Sequence, residues 1–208
     1  GENKLILKGL NKIKSIINWY PFENLSFDKK ASKTYKINAN WALYCENYLE
    51  GFHIGYVHKG LSSDIENQSY ETTLLEHGVL QMAKSKHKND SIGGEGIING
   101  IPSNQIYALY FWLFPNIMLN VYKWGISVNI IEPISKEKTR IRFISLPLNG
   151  LKQTHGKNNS IDQIEAEDQK IVLSVQKGIK SKFYNKGRYS ATYEKGTHHF
   201  HRIISSYL

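Results

Sequence analysis

Residues 160–181, SIDQIEAEDQKIVLSVQKGIKS, decide the fold class. Opening at Ser160 or Asp162, the segment places Ile164, Asp168, Ile171, Val172, Val175 and Ile179 at helical steps along one face. Asp168 is the one charged residue of that stripe, and a carboxylate on a buried face is costly unless something pairs with it. Upstream the pattern changes to strands: residues 33–40, 70–84, 105–114, 117–124, 126–131 and 139–146. Pro133 and a charged turn over residues 135–138 separate the last two. Strands followed by one long amphipathic helix predict an α+β domain, with a curved antiparallel sheet packed on that helix.

Working outward, Leu7, Leu10, Ile13, Ile16 and Ile17 predict a helix over residues 5–19, which Pro21 ends. A second helix is expected over residues 41–53 and a short final one within residues 190–208. The glycine-rich stretch 86–103 reads as a loop; it contains Gly93-Gly94-Glu95-Gly96 but lacks the Lys-Ser/Thr of a phosphate-cradling P-loop. Residues 150–160 read as another polar loop. The length, 208 residues, suits a single domain with one core.

Composition removes several classes of function. Lys and Arg outnumber Asp and Glu by 27 to 18, a net charge of +9, which would attract nucleic acid or an anionic surface. The basic residues are scattered, however, and no basic helix, zinc finger or RNP motif accompanies them, which argues against specific nucleic-acid binding. Cys45 is the only cysteine, so the chain has no internal disulfide and no thiolate-rich metal site. No apolar run approaches the ~20 residues of a membrane span. The expectation is no membrane partner and a cytoplasmic location.

The chemistry concentrates in residues 40–58, NWALYCENYLEGFHIGYVH. His53 and His58 are five apart, which on a regular helix turns the second about 140° from the first. Gly55 lies between them and permits the chain to unwind so that both face one ion. The spacing is not that of the zinc metalloproteases, because Ile54 follows His53 and the second His is one residue late. Two imidazoles suit iron, zinc or copper, and a further ligand must come from elsewhere in the chain. Asp168 is the leading candidate, since a cation would offset the cost of its place in the stripe; Glu165 and Glu167 are its competitors. Two His and one carboxylate form the facial triad that leaves positions open for O2 on Fe(II).

Residues 40–58 resemble the iron-binding stretch of the oxygenase (alpha) subunits of Rieske oxygenases, nearest to the choline, betaine and carnitine oxygenase branch of these ring-hydroxylating enzymes. Further matches follow in order: HKGL at residues 58–61, FPN at 114–116 before MLNVY, EDQKIVLSVQKGIKS at 167–181, and a tail with Glu194 and Phe200-His201. The resemblance implies a helix-grip (START-like) fold with Fe(II) held by His53, His58 and Asp168. It implies that Glu50 is the acidic bridge through which a Rieske [2Fe-2S] centre on a neighbouring subunit delivers electrons. A carboxylate suits that role because it accepts from imidazole N–H groups and holds both rings in one tautomer. Asn47, with Tyr48, is expected to orient the site.

The implied activity is O2-dependent hydroxylation or oxidative demethylation of a small organic substrate, quaternary ammonium or aromatic, by a mono- or dioxygenase. The 13 Tyr and 4 Trp would supply rings for a cation–π cage if the substrate is a quaternary ammonium compound. The implied partners are substrate, O2, a reductase or ferredoxin donor, and other copies in a homotrimer. A Rieske cluster needs two Cys and two His, more cysteine than this chain has. The chain also opens without Met. Residues 1–208 are therefore expected to be one catalytic domain cut from a longer chain, missing its N-terminal Rieske domain and inactive by itself. The competing expectation is a helix-grip ligand-binding domain without redox activity. For Phe52, Tyr56 and Trp112, plain core packing is the first expectation, and for Cys45 a small buried hydrophobe.

Overall fold

A computed structural model of the chain describes residues 2–50, 70–149, 151 and 161–207. Four helices are described: α1 (Glu2–Ile16), α2 (Trp41–Leu49), α3 (Ile161–Gly178) and α4 (Lys195–Ser205). The strands are β1 (Asp28–Ile37), β2 (Glu71–Leu75), β3 (Gly78–Lys84), β4 (Ile97–Ile98), β5 (Ile101–Pro102), β6 (Ile106–Leu113), β7 (Ile117–Tyr122), β8 (Gly125–Ser135) and β9 (Lys138–Pro147). Seven of them form one antiparallel sheet in the order β1-β9-β8-β7-β6-β3-β2, and β4 and β5 pair separately. This is the expected α+β architecture with a large antiparallel sheet.

Both faces of the sheet are covered, so its inner strand β6, IYALYFWL, is buried at every position. A strand with one wet face would alternate instead. On one face α1 brings Ile13 and Ile17 onto Leu80, Met82, Leu109, Phe111, Leu113, Leu119, Val121 and Ile126. On the other, α2, α3 and α4 pack Leu43, Tyr44, Cys45, Leu49, Val172, Phe200 and Ile203 against Val79, Trp112, Met118, Ile131 and Ile141. Trp112 and Phe200 meet edge to face with ring centroids 5.0 Å apart, worth about 0.5–1.5 kcal/mol beyond their burial. Trp112 and Cys45 are thus core residues, as expected.

Four elements differ from the sequence reading, the first being the stretch 86–103, read as a loop, which contains the short antiparallel pair of β4 and β5. The region read as one strand, residues 70–84, is a hairpin, β2 and β3, turning at Glu76-His77. The second helix stops at Leu49 and Glu50 is already extended, with φ −102° and ψ 146°. On α3 the buried positions are Glu165, Val172 and Gln176, while Val175 and Ile179 are exposed. The buried face of α3 is therefore more polar than its apolar stripe, because α2 and β8 offer it polar partners. Gln176 Oε1 accepts from the Asn40 amide at 2.8 Å, and Asn40 in turn caps α2 by accepting from the Ala42 amide at 2.9 Å.

Candidate metal centre

Five strands build the floor of the site. Register sets Gln81 opposite Tyr110, Tyr110 opposite Asn120, Asn120 opposite Ser127, and Ser127 opposite Ser145. All five are buried on the face covered by α2, α3 and α4, forming one polar row across a largely apolar sheet. The neighbouring row, Val79, Trp112, Met118, Asn129 and Phe143, is apolar except for Asn129. Buried polar side chains need partners, and Gln81 and Asn120 find theirs at the end of α2. Gln81 Nε2 donates to the Tyr48 carbonyl at 2.8 Å, the Tyr48 hydroxyl donates to Asn120 Oδ1 at 2.7 Å, and Asn120 Nδ2 donates to Ser127 Oγ at 3.0 Å. The last turn of α2 is thereby fastened to β3 and β7, and Glu50 leaves it at a defined place.

Beside that row stands a wall of rings. Tyr110 stacks on Tyr70 at 6.1 Å and meets Tyr48 and Tyr122 edge to face, and Tyr122 stacks on Trp124 at 5.4 Å. A register shift between β3 and β6 near Ala83 adds Tyr107 to the same cluster as Ala108 and Tyr110. Burial pushes the phenols of Tyr48, Tyr70 and Tyr122 well above the ordinary tyrosine range, with neighbouring phenols adding. The charge of the half-buried Glu50 adds a smaller part to the rise at Tyr70.

The α2–α3 contact holds two carboxylates. Asn47, buried on α2, donates from Nδ2 to Oδ1 of the half-buried Asp168 at 2.9 Å. One turn earlier on both helices, the Tyr44 hydroxyl donates to Glu165 Oε2 at 2.6 Å, and Asn129 Nδ2 donates to Oε1 at 3.0 Å. Burial, the largest cause, pushes the Glu165 carboxyl up to about 7; the nearby Asp168 charge adds to the rise and the hydrogen bonds oppose it. Glu167 is half-buried on the same helix.

Of the residues expected to form the site, Asn47 and Asp168 are in contact and Glu50 sits at the end of the helix that carries Asn47. His53 and His58, with Phe52 and Tyr56, lie outside the described residues. Among the described residues no three His, Cys, Asp or Glu side chains converge as a ligand set. Sequence reasoning did not single out Gln81, Asn120, Ser127 and Asn129. Their signal is present: Asn, Gln and Ser occupy inward positions of strands whose other inward residues are apolar. In the tail, Phe200 is fully buried and the histidines are spread over its flanks, as expected of an amphipathic helix. His199 Nε2 contacts the Leu75 carbonyl at 2.7 Å, and His201 bridges Glu46 Oε1 at 2.7 Å and the Tyr189 hydroxyl at 2.5 Å.

The fold is shared with solved Rieske oxygenases. A quaternary ammonium Rieske monooxygenase superimposes with a TM-score of 0.73 at 20% identity, over 98% of this chain and 56% of that one. Naphthalene 1,2-dioxygenase gives 0.62 at 14% identity, over 94% of this chain and 59% of that one. Residues 22–208 match the family described as ring hydroxylating alpha subunit (catalytic domain), and the chain belongs to that family. The choline monooxygenase of Arabidopsis thaliana, a chloroplastic protein, is 33% identical over 83% of this chain and 40% of its own length. The carnitine monooxygenase oxygenase subunit of Escherichia coli K12 is 30% identical over 83% of this chain and 48% of its own. The chain thus spans less than half the length of either relative. No helix among the described residues is long and apolar enough to cross a membrane.

Proposed function

We propose that this chain is the iron-bearing catalytic domain of a quaternary ammonium monooxygenase, with His53, His58 and Asp168 as the Fe(II) ligands. The observation that carries the reading is the Asn47–Asp168 hydrogen bond. It joins the helix that leads into the two histidines to the helix that carries the family's carboxylate. The donor set fits the metal: Asp168 is half-buried, one of its oxygens is already oriented by a neutral amide, and imidazole and carboxylate together suit Fe(II).

When bound, Fe(II) supplies O2 activation for hydroxylation or oxidative demethylation. The chain's own residues prepare that chemistry. Asn47 holds Asp168 in one orientation. The tyrosine phenols are neutral, as ordinary phenols are near pH 7, and burial raises them further, so they present ring faces rather than phenolates. Glu50, at the end of α2, is the bridge by which electrons arrive from a Rieske centre on a neighbouring subunit. The solved quaternary ammonium Rieske monooxygenase is itself described in terms of inter-subunit electron transfer. The cluster belongs to a part of the protein outside this one-cysteine chain, and its reduction to a reductase or ferredoxin. A lone buried thiol fits a reducing compartment such as the cytoplasm.

The substrate class rests on the aromatic wall with Glu50 beside it. Ring faces and a carboxylate attract a cation, although the chain as a whole is strongly positive. The test is binding of choline and of its uncharged isostere, 3,3-dimethylbutan-1-ol, to the iron-loaded chain by calorimetry. Choline binding at least ~10-fold tighter is expected from cation–π and carboxylate attraction. Equal affinities would remove the quaternary ammonium reading and leave the iron site standing. Choline binding by a chain without Fe(II) affinity would favour the redox-silent ligand-binding domain.

A further inference from the structure

Glu165 is absorbed by none of the roles above. It is 6% exposed, in the interior between α2, α3 and β8. Each of its two oxygens accepts from a different element: Oε2 from Tyr44 on α2, Oε1 from Asn129 on β8. Asn129 meets this carboxylate at a cost, because its own buried Oδ1 has no hydrogen-bond partner among the described residues. A buried acid is a poor device for stability alone, since apolar replacement is often neutral or favourable. What such a network does supply is direction, because hydrogen bonds fix orientation where aliphatic packing tolerates sliding.

The direction it fixes concerns Asp168. Tyr44 and Asn47 are one turn apart on α2, and Glu165 and Asp168 are one turn apart on α3. The Tyr44–Glu165 and Asn47–Asp168 bonds are consecutive rungs between the two helices, at 2.6 and 2.9 Å. Asn129 ties the first rung to the sheet. We propose that Glu165 is a positioning residue for the metal centre: with Tyr44 and Asn129 it locks α3 in register on α2 and β8, so that Asp168 is the carboxylate presented to the metal. This rests on the reading of Asp168 as a ligand. It also gives Glu165 a role other than ligation, as both its oxygens are engaged by donors.

The experiment is anaerobic titration of the purified chain with Co(II), following the visible ligand-field spectrum, alongside thermal unfolding. Glu165→Leu is expected to unfold close to the parent temperature yet bind Co(II) about 10–100-fold more weakly, as loss of an outer-shell partner commonly does. Its spectrum is expected to differ from the parent's. Glu165→Gln keeps an acceptor for Tyr44 and can donate to Asn129 Oδ1 if that amide turns over, so it restores most of the affinity and the spectrum. Tyr44→Phe removes one hydroxyl and serves if the leucine variant does not fold; it is expected to shift the spectrum in the same sense. Parent-like affinity and spectrum in the folded Glu165→Leu or Tyr44→Phe variant would overturn the proposal. A parent chain that binds no Co(II) would instead overturn the metal centre itself, and Asp168→Asn, expected to lose binding, separates the two.

Discussion

Asn47 and Glu165 act on two carboxylates one helical turn apart, and each carries a prediction. Asn47→Ala removes the donor to Asp168 Oδ1 while deleting little volume. Fe(II) affinity is expected to fall about 10–100-fold in an anaerobic titration, and an unchanged affinity would show that the amide does not orient a ligand. Glu165 predicts a pH dependence in the metal-free chain. Its folded-state value is raised from 4.5 to about 7, chiefly by burial, so the folded chain keeps a proton that the unfolded chain releases. Its stabilising contribution is full below about pH 4.5 and is lost as pH rises to about 7, by on the order of 2–3 kcal/mol. Urea midpoints of the parent should therefore fall between pH 5 and 7 relative to those of Glu165→Gln. Parallel pH profiles would contradict this.

At the scale of elements, α2 matters most, because it ends against the sheet and releases the chain toward the two histidines. Gln81, 1% exposed, supplies the donor to the carbonyl of Tyr48. Gln81→Met would preserve size and leave that carbonyl without its donor, costing about 1–3 kcal/mol. Urea unfolding checks the loss, and a cost below about 0.5 kcal/mol would mean the tether is dispensable. Much of this level could be read from the sequence. The periodicity of α3 and the strand runs follow from side-chain spacing, whereas the tail with Phe200 inward follows from the resemblance to the family. The faces were harder. Periodicity assigns the apolar stripe of α3 to the core, but long-range partners draw other residues inward instead, Tyr44 and Asn129 for Glu165 and Asn40 for Gln176. The end of α2 at Leu49 was equally hidden, since its tethers come from strands 33 and 72 residues further along the chain.

At the scale of the molecule, the net charge of +9 pointed nowhere useful, whereas its local reversal did. Glu50, Asp168 and Glu165 lie on or between two helices over a buried polar row, where a divalent cation and a cationic substrate would both be favoured. The polar row itself is a product of register: Gln81, Tyr110, Asn120, Ser127 and Ser145 are scattered over 65 residues and meet only because the strands pair as they do. No reading of local pattern assembles them. The proposed metal ligands, by contrast, lie in one short segment and one helix of a chain whose family membership rests on the match over residues 22–208.

The central claim is the iron site of His53, His58 and Asp168, and metal analysis after anaerobic loading with Fe(II) tests it most directly. The account predicts about one Fe per chain, lost in His53→Ala, His58→Ala and Asp168→Ala and retained in Glu50→Gln. Full iron retention in a folded Asp168→Ala chain would contradict it.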